Sequence, residues 1–352
     1  MRTHPLTHPP FAQNVADLLA ILAAFGSASC GPPPATVGLA VSQVHQANCL
    51  KSFAALIAVA ISPSQHIYYA GGDPGGSDAD RDSLDSAAVY DPASNSHADL
   101  PSMGTRRHYV GMGRLGGLVC AVGGSHNGVR VGFLDSCECL DTANPGAGWS
   151  DYPSLRTARM SAAVASTGDT MCAIGGATRD NGWTKLASVE CLSQGATAWV
   201  EVASLNIARF QHCAAAIGNV IFALGGGREA GGSLEALDLG ADGGGWEEKA
   251  PMPTTRRFVA VAASGTRLFV VGGHTLEIYE SVTDSWSAAA PMPTARSGLA
   301  AAIVGNALFA LGGLSGGNTV DVVEVYDIEG DSWSAAEPMG ASRWGLAAVA
   351  GP

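Results

Sequence analysis

The sequence predicts an all-β chain folded as a six-bladed β-propeller, four antiparallel strands to a blade. Three observations carry this reading. Glycine supplies 46 of 352 residues and charged residues only 14%, against about 25% charge in an average soluble domain, which favours short strands and tight turns over helices. Gly-Gly pairs begin at Gly71, Gly123, Gly175, Gly225, Gly272 and Gly312, each after a short apolar run, at steps of 52, 52, 50, 47 and 40 residues. Two offsets then hold across the repeat. Trp149, Trp199, Trp246, Trp286 and Trp333 each precede an arginine by ten residues, and Arg107, Arg159, Arg209, Arg256 and Arg296 each precede a Gly-Gly pair by sixteen. The interval from Gly-Gly to Trp varies from 14 to 26. Constant spacing marks packed scaffold and variable spacing marks surface loops.

The unit at residues 286–333 shows the strands in order. WSAAAPMP is an outer strand and turn, and after Arg296 the small-residue run GLAAAIVG is an inner strand. Gly305-Asn306 turns the chain into ALFALGG, and a variable loop leads to the alternating strand VEVYD at 323–327. Short turns between successive strands imply an antiparallel meander. Small residues after each arginine suit strands that converge on an axis, and a ring leaves only short, protected sheet edges. At the ends, Arg343 opens one more inner strand, WGLAAVA, while FAALIAVA at 53–60, after Lys51 in the arginine place, offers a rival for the same position. Closure by residues 344–350 joining blade one is the expectation, with a truncated seven-blade ring as the alternative.

These motifs resemble the kelch repeat: Gly-Gly ending the second strand, E-x-Y-D in the third, then Trp and P-M-P-x-x-R, as in YESVTDSWSAAAPMPTARSGLAAAIVGNALFALGG. The resemblance spans about residues 51–350 and implies a kelch-type propeller over 51–352, preceded by a non-repeat segment, 1–50. The tyrosine is kept only at Tyr90, Tyr279 and Tyr326, and His97 stands where the first unit would carry tryptophan. Residues 1–50 read as a disordered lead or short helix. VADLLAILAAFGSASC could instead serve as a secretory signal, which would replace a cytoplasmic location with a secreted one.

A net charge of −12, with 19 Lys+Arg against 31 Asp+Glu, argues against nucleic-acid partners. No apolar run is long enough for a membrane span. The eight cysteines have no C-x-x-C spacing and show no zinc pattern. They read as buried hydrophobes in a reducing compartment, with Cys120 and Cys172, at places where other units carry phenylalanine, expected unpaired. No cofactor, metal or catalytic motif is legible.

In kelch domains similar to those of ubiquitin-ligase substrate adaptors, arginines at this place line a central mouth and hold acidic peptides. The resemblance implies that role for Arg107, Arg159, Arg209, Arg256, Arg296 and Arg343. The competing reading pairs each with the glutamate of its third strand: Glu138, Glu190, Glu235, Glu277 or Glu324. Loop residues outside the repeat are further candidates for partner contact: Ser125, His126, Asn127, Trp183, His274 and Trp344. The function expected is a protein-interaction module binding a protein or acidic peptide, in the manner of a ubiquitin-ligase adaptor. A sugar epimerase using the same mouth is the alternative from a different class.

Overall fold

In the computed structural model, residues 65–75, 83–126, 132–179, 183–227, 229–241 and 243–351 are described. The expected lead at 1–50, the strand at 53–60 and Asn127 lie outside them. Each Gly-Gly repeat forms one antiparallel sheet, with strands in chain order from the axis outward. The second blade, for example, runs Gly111–Leu115, Leu118–Val122, Cys137–Asp141 and Trp149–Tyr152. The sixth runs Ala300–Val304, Ala307–Leu311, Val323–Asp327 and Ser332–Ala335. The first is composite. Ala347–Ala350 takes its inner place and pairs antiparallel with Ile67–Ala70, Ile67 opposite Ala350, followed by Ala87–Asp91 and Ser96–Leu100. The inner strands of all six blades meet their neighbours in a closed cycle. The ring therefore has six blades and closes through its C-terminal strand.

The constant offsets have a direct structural cause. The second glycine of every pair donates its amide to the carbonyl of the next blade's arginine, from Gly72 to Arg107 at 2.9 Å round to Gly313 to Arg343 at 2.9 Å. A Cβ on Gly71 would sit 2.5 Å from the Arg107 carbonyl oxygen, and one on Gly312 2.6 Å from that of Arg343. Backbone contact this close, at φ of +67° and +61°, requires glycine. At the rim, each tryptophan donates its indole N–H to a carbonyl of the preceding blade, as in Trp149 to Pro101 at 2.9 Å and Trp333 to Ala290 at 2.8 Å. His97 keeps this bond in the first blade, its Nε2 donating to the Glu337 carbonyl at 2.9 Å. Nδ1 of the same ring accepts from the Tyr69 hydroxyl at 3.0 Å. In the three blades that keep the third-strand tyrosine, its hydroxyl donates to the turn residue five positions on: Asn95, Asp284 or Asp331. All three of those turn residues have positive φ.

The expectation that Cys120 and Cys172 are unpaired is overturned. Cys120 is bonded to Cys139, and Cys172 to Cys191. Within each pair the cysteines face each other directly across the second and third strands, with Cα atoms 4.0 Å apart. The argument for a reducing compartment from free cysteines falls with this. Each bridge closes a loop of similar length, 19 residues in sequence, which in the chain-entropy account is worth about 3 kcal/mol.

Candidate functional site

The loops that precede the inner strands and those that follow Gly-Gly build one face of the ring around its mouth. The arginines lie beneath this face. Arg107, Arg159, Arg209, Arg296 and Arg343 are buried, and Arg256 is partly so. In every blade one guanidinium nitrogen donates to the carbonyl of the first glycine sixteen residues on, as in Arg107 to Gly123 at 2.8 Å or, across the chain ends, Arg343 to Gly71 at 3.3 Å. Five arginines also pair with the third-strand glutamate: Arg107 with Glu138 at 2.6 Å, Arg209 with Glu235 at 2.5 Å, Arg296 with Glu324 at 2.7 Å, Arg159 with Glu190 and Arg256 with Glu277. Glu138 accepts in addition from the amides of Gly104 and Thr105, which ties the interblade turn down. Burial pulls the pKa of Arg159 and Arg296 down while the paired carboxylates hold it up. These contacts hold the guanidinium groups inside the blades. An outside carboxylate would have to displace an existing one to reach the five that are paired.

Arg343 differs because its blade carries Ala88 in the glutamate place. Tyr69, opposite Ala88, stands where the other blades have alanine or valine beside the glutamate. Its ring fills the space and lies 5.4 Å from the Arg343 guanidinium carbon. One large aromatic and one alanine thus replace one small residue and one carboxylate, and a cation–π contact replaces an ion pair.

The mouth itself is lined by residues two and three places after each arginine: Tyr109-Val110, Ser161-Ala162, Gln211-His212, Phe258-Val259, Gly298-Leu299 and Gly345-Leu346. The first of each pair has a left-handed backbone, with φ between +51° and +62°. Two of the six are glycine. The other four, Tyr109, Ser161, Gln211 and Phe258, hold side chains in a conformation that costs an ordinary residue about 1–2 kcal/mol. Their backbones form a belt. Ser161 donates its amide to Tyr109 at 3.1 Å, Tyr109 to Gly345 at 2.9 Å, Gly345 to Gly298 at 2.8 Å, Gly298 to Phe258 at 2.8 Å and Phe258 to Gln211 at 3.1 Å. Among the described residues the sixth link, Gln211 to Ser161, is not made. Beside that opening, Ser161 Oγ and Gln211 Oε1 are buried without a hydrogen bond. The His212 ring lies near the Ile174 carbonyl with neither nitrogen in hydrogen-bonding geometry.

Across the mouth the surface is aromatic. Tyr109 is 5.2 Å from Trp344 and 6.1 Å from Phe258 between ring centres. Trp183, 47% exposed, makes edge contacts with Phe133 and Phe210, each at 5.7 Å. Of the other loop residues named from the sequence, Ser125 is buried against His108, its carbonyl 3.0 Å from His108 Nδ1. His126 is half-buried and donates its amide to Gly132 at 3.0 Å. His274 is exposed, with Nδ1 3.1 Å from the Met292 carbonyl. Sequence reasoning named Trp183 and Trp344 but missed Tyr109, Gln211, His212 and Phe258. A usable signal was present: the sixth unit reads Arg-Ser-Gly, and side chains replace that glycine in four other units.

Burial, with Arg209 as the second cause, pushes His212 down to about 3. The unfolded chain protonates this ring from pH 6.5 downward and the folded chain does not until about pH 3. The unfolded state binds more protons between those values, so stability falls as pH drops, by about 1.4 kcal/mol per unit from this group. Denaturant titrations at pH 7 and pH 5 are expected to show the wild type losing about 2 kcal/mol more than His212→Leu. Equal losses in the two proteins would show that the ring is protonated in the fold.

A closed ring of six four-stranded blades with a loop-built mouth defines the class, a β-propeller. Residues 295–340, the sixth repeat, match the family model of the kelch motif. The chain is thus a six-bladed propeller carrying the kelch motif. No curated protein sequence matches it.

Proposed function

We propose that this chain is a protein-interaction module that presents the mouth of its ring to a partner protein. The observation that carries the reading is the pair Tyr109 and Phe258. Both project aromatic rings into the mouth from left-handed positions that glycine occupies in two other blades. Backbone strain retained at a surface opening points to a functional role for the side chains that cause it, and aromatic side chains are the usual anchors of protein interfaces. An enzymatic reading finds less support. The mouth cavity measures about 100 Å³ and has no carboxylate in its lining, whereas small-molecule sites run to roughly 300–1,000 Å³. An acidic segment of a partner would meet Arg257, which is exposed with its guanidinium carbon 5.8 Å from the Phe258 ring centre. Substrate recognition for a ubiquitin ligase is the narrower form of the proposal and rests on the kelch resemblance.

Affinity capture with the full chain, read by mass spectrometry, tests this against Tyr109→Gly and Phe258→Gly. Glycine suits the backbone at both positions, so melting temperature is expected to stay level or rise while partner recovery falls at least tenfold, the loss of about 1.4 kcal/mol or more. Recovery of the same partners by both variants would remove the mouth from the interface. Ligase subunits among the partners would support the narrower role.

A further inference from the structure

Three sulfurs converge in the core of the second blade. Cys120 lies on its second strand, and Cys137 and Cys139 on its third. Cys137 keeps a free thiol whose Sγ is 4.0 Å from Sγ of Cys139, and all three sulfurs lie within 4.8 Å of one another. The cluster is fully buried and packs against Met171 and Trp199 of the third blade. We propose that reduction of the Cys120–Cys139 bond converts this trio into a binding site for a soft monovalent metal ion, with copper(I) as the fitting species. The inference goes beyond the interaction role and stands independently of it.

Geometry and donor type both support the assignment. Three sulfurs placed evenly around an ion at metal–sulfur distances of about 2.3 Å stand about 4.0 Å apart. Cys137 and Cys139 already have that separation. An all-sulfur donor set selects soft ions. The group holds three possible ligands rather than the four of a structural zinc site. Burial pushes the Cys137 thiol up to about 12, against a smaller opposing influence of the Arg107 charge, so the ion itself has to displace the proton. In the oxidised protein two of the three sulfurs are bonded to each other, so the site exists only after reduction. A thiol reductant supplies two electrons and two protons to the Cys120–Cys139 bond and is itself oxidised to a disulfide. The ion then replaces the thiol protons, which leave to solvent.

The third blade provides an internal control. It has the same cross-strand bridge, Cys172–Cys191, but Val189 occupies the place of Cys137. The sequence alone concealed the site because Cys120 enters from a neighbouring strand, across a loop of variable length.

The test titrates copper(I) into the full chain without oxygen, before and after phosphine reduction, against bicinchoninate as competing chelator. Reduced wild type and the reduced Cys172→Ala/Cys191→Ala variant are expected to take up the same tightly held equivalent, with sulfur-to-copper absorption in the ultraviolet. Cys137→Val, which copies the third blade, is expected to lose affinity for that equivalent about tenfold or more, and the oxidised protein to lack it. Near-UV circular dichroism monitors the fold of each protein. Retention of the equivalent by Cys137→Val, its loss in the Cys172→Ala/Cys191→Ala variant, or failure of the reduced wild type to bind would overturn the proposal.

Discussion

Deleting residues 341–352 is expected to abolish folding at ordinary temperature. The deletion removes Ala347–Ala350, which among the described residues is the partner on the axial side of Ile67–Ala70. It also removes the Arg343 carbonyl that accepts from Gly313 and the Gly345 carbonyl that accepts from Tyr109, so the ring opens on both sides of the first blade. Leu346, packed with Ile67, Tyr90 and Phe309 in one core cluster, is lost as well. Exposure of a sheet edge and of that cluster amounts to several kcal/mol, comparable with the whole stability of a typical domain at roughly 5–15 kcal/mol. Soluble yield and far-UV circular dichroism report the outcome. A soluble deletion variant with the wild-type melting temperature would show that the C-terminal strand does not close the ring.

Arg296→Ala is expected to destabilise the protein by about 3–5 kcal/mol, because it leaves Glu324 buried without its partner. That corresponds to a fall in melting temperature on the order of 10 °C. Arg296→Met with Glu324→Leu is expected to recover much of the loss, since replacing both members of a buried pair by apolar groups is often neutral. Arg343→Ala is expected to cost less, having no carboxylate to strand. In the first blade, Ala88→Glu alone would crowd Tyr69, whereas Ala88→Glu with Tyr69→Ala recreates the arrangement of the other five blades and is expected to be the more stable of the two. A stable Arg296→Ala protein that has lost its partner would instead return the arginines to the recognition surface.

How much was legible in advance follows from which interactions recur. A contact made once per blade imposes the same spacing on every repeat, so the Gly-Gly pairs, the tryptophans and the arginines announce themselves in a single sequence. Their ten- and sixteen-residue offsets are the backbone distances between a rim bond, an interblade turn and a close approach of two main chains. From these alone come the strand order, the count of six blades and the expectation of closure by residues 344–350. The competing strand at 53–60 lies outside the described residues, and the inner place of the first blade belongs to Ala347–Ala350.

Tertiary structure alone decided the features that belong to single blades. Spacing shows that an arginine and a glutamate recur, but only the folded positions show the guanidinium groups turned into the blade and away from the mouth. The compensation between Tyr69 and Ala88 is invisible until their strands are paired in register. The same holds for the two disulfides. Cys120 and Cys139, like Cys172 and Cys191, are 19 residues apart, and their opposition depends on where the third strand returns after a loop of unconstrained length. The mouth was hidden for a further reason. The first residue of each of its six lining pairs has a left-handed backbone, and a tyrosine or phenylalanine there reads as an ordinary strand residue until the ring is closed around it.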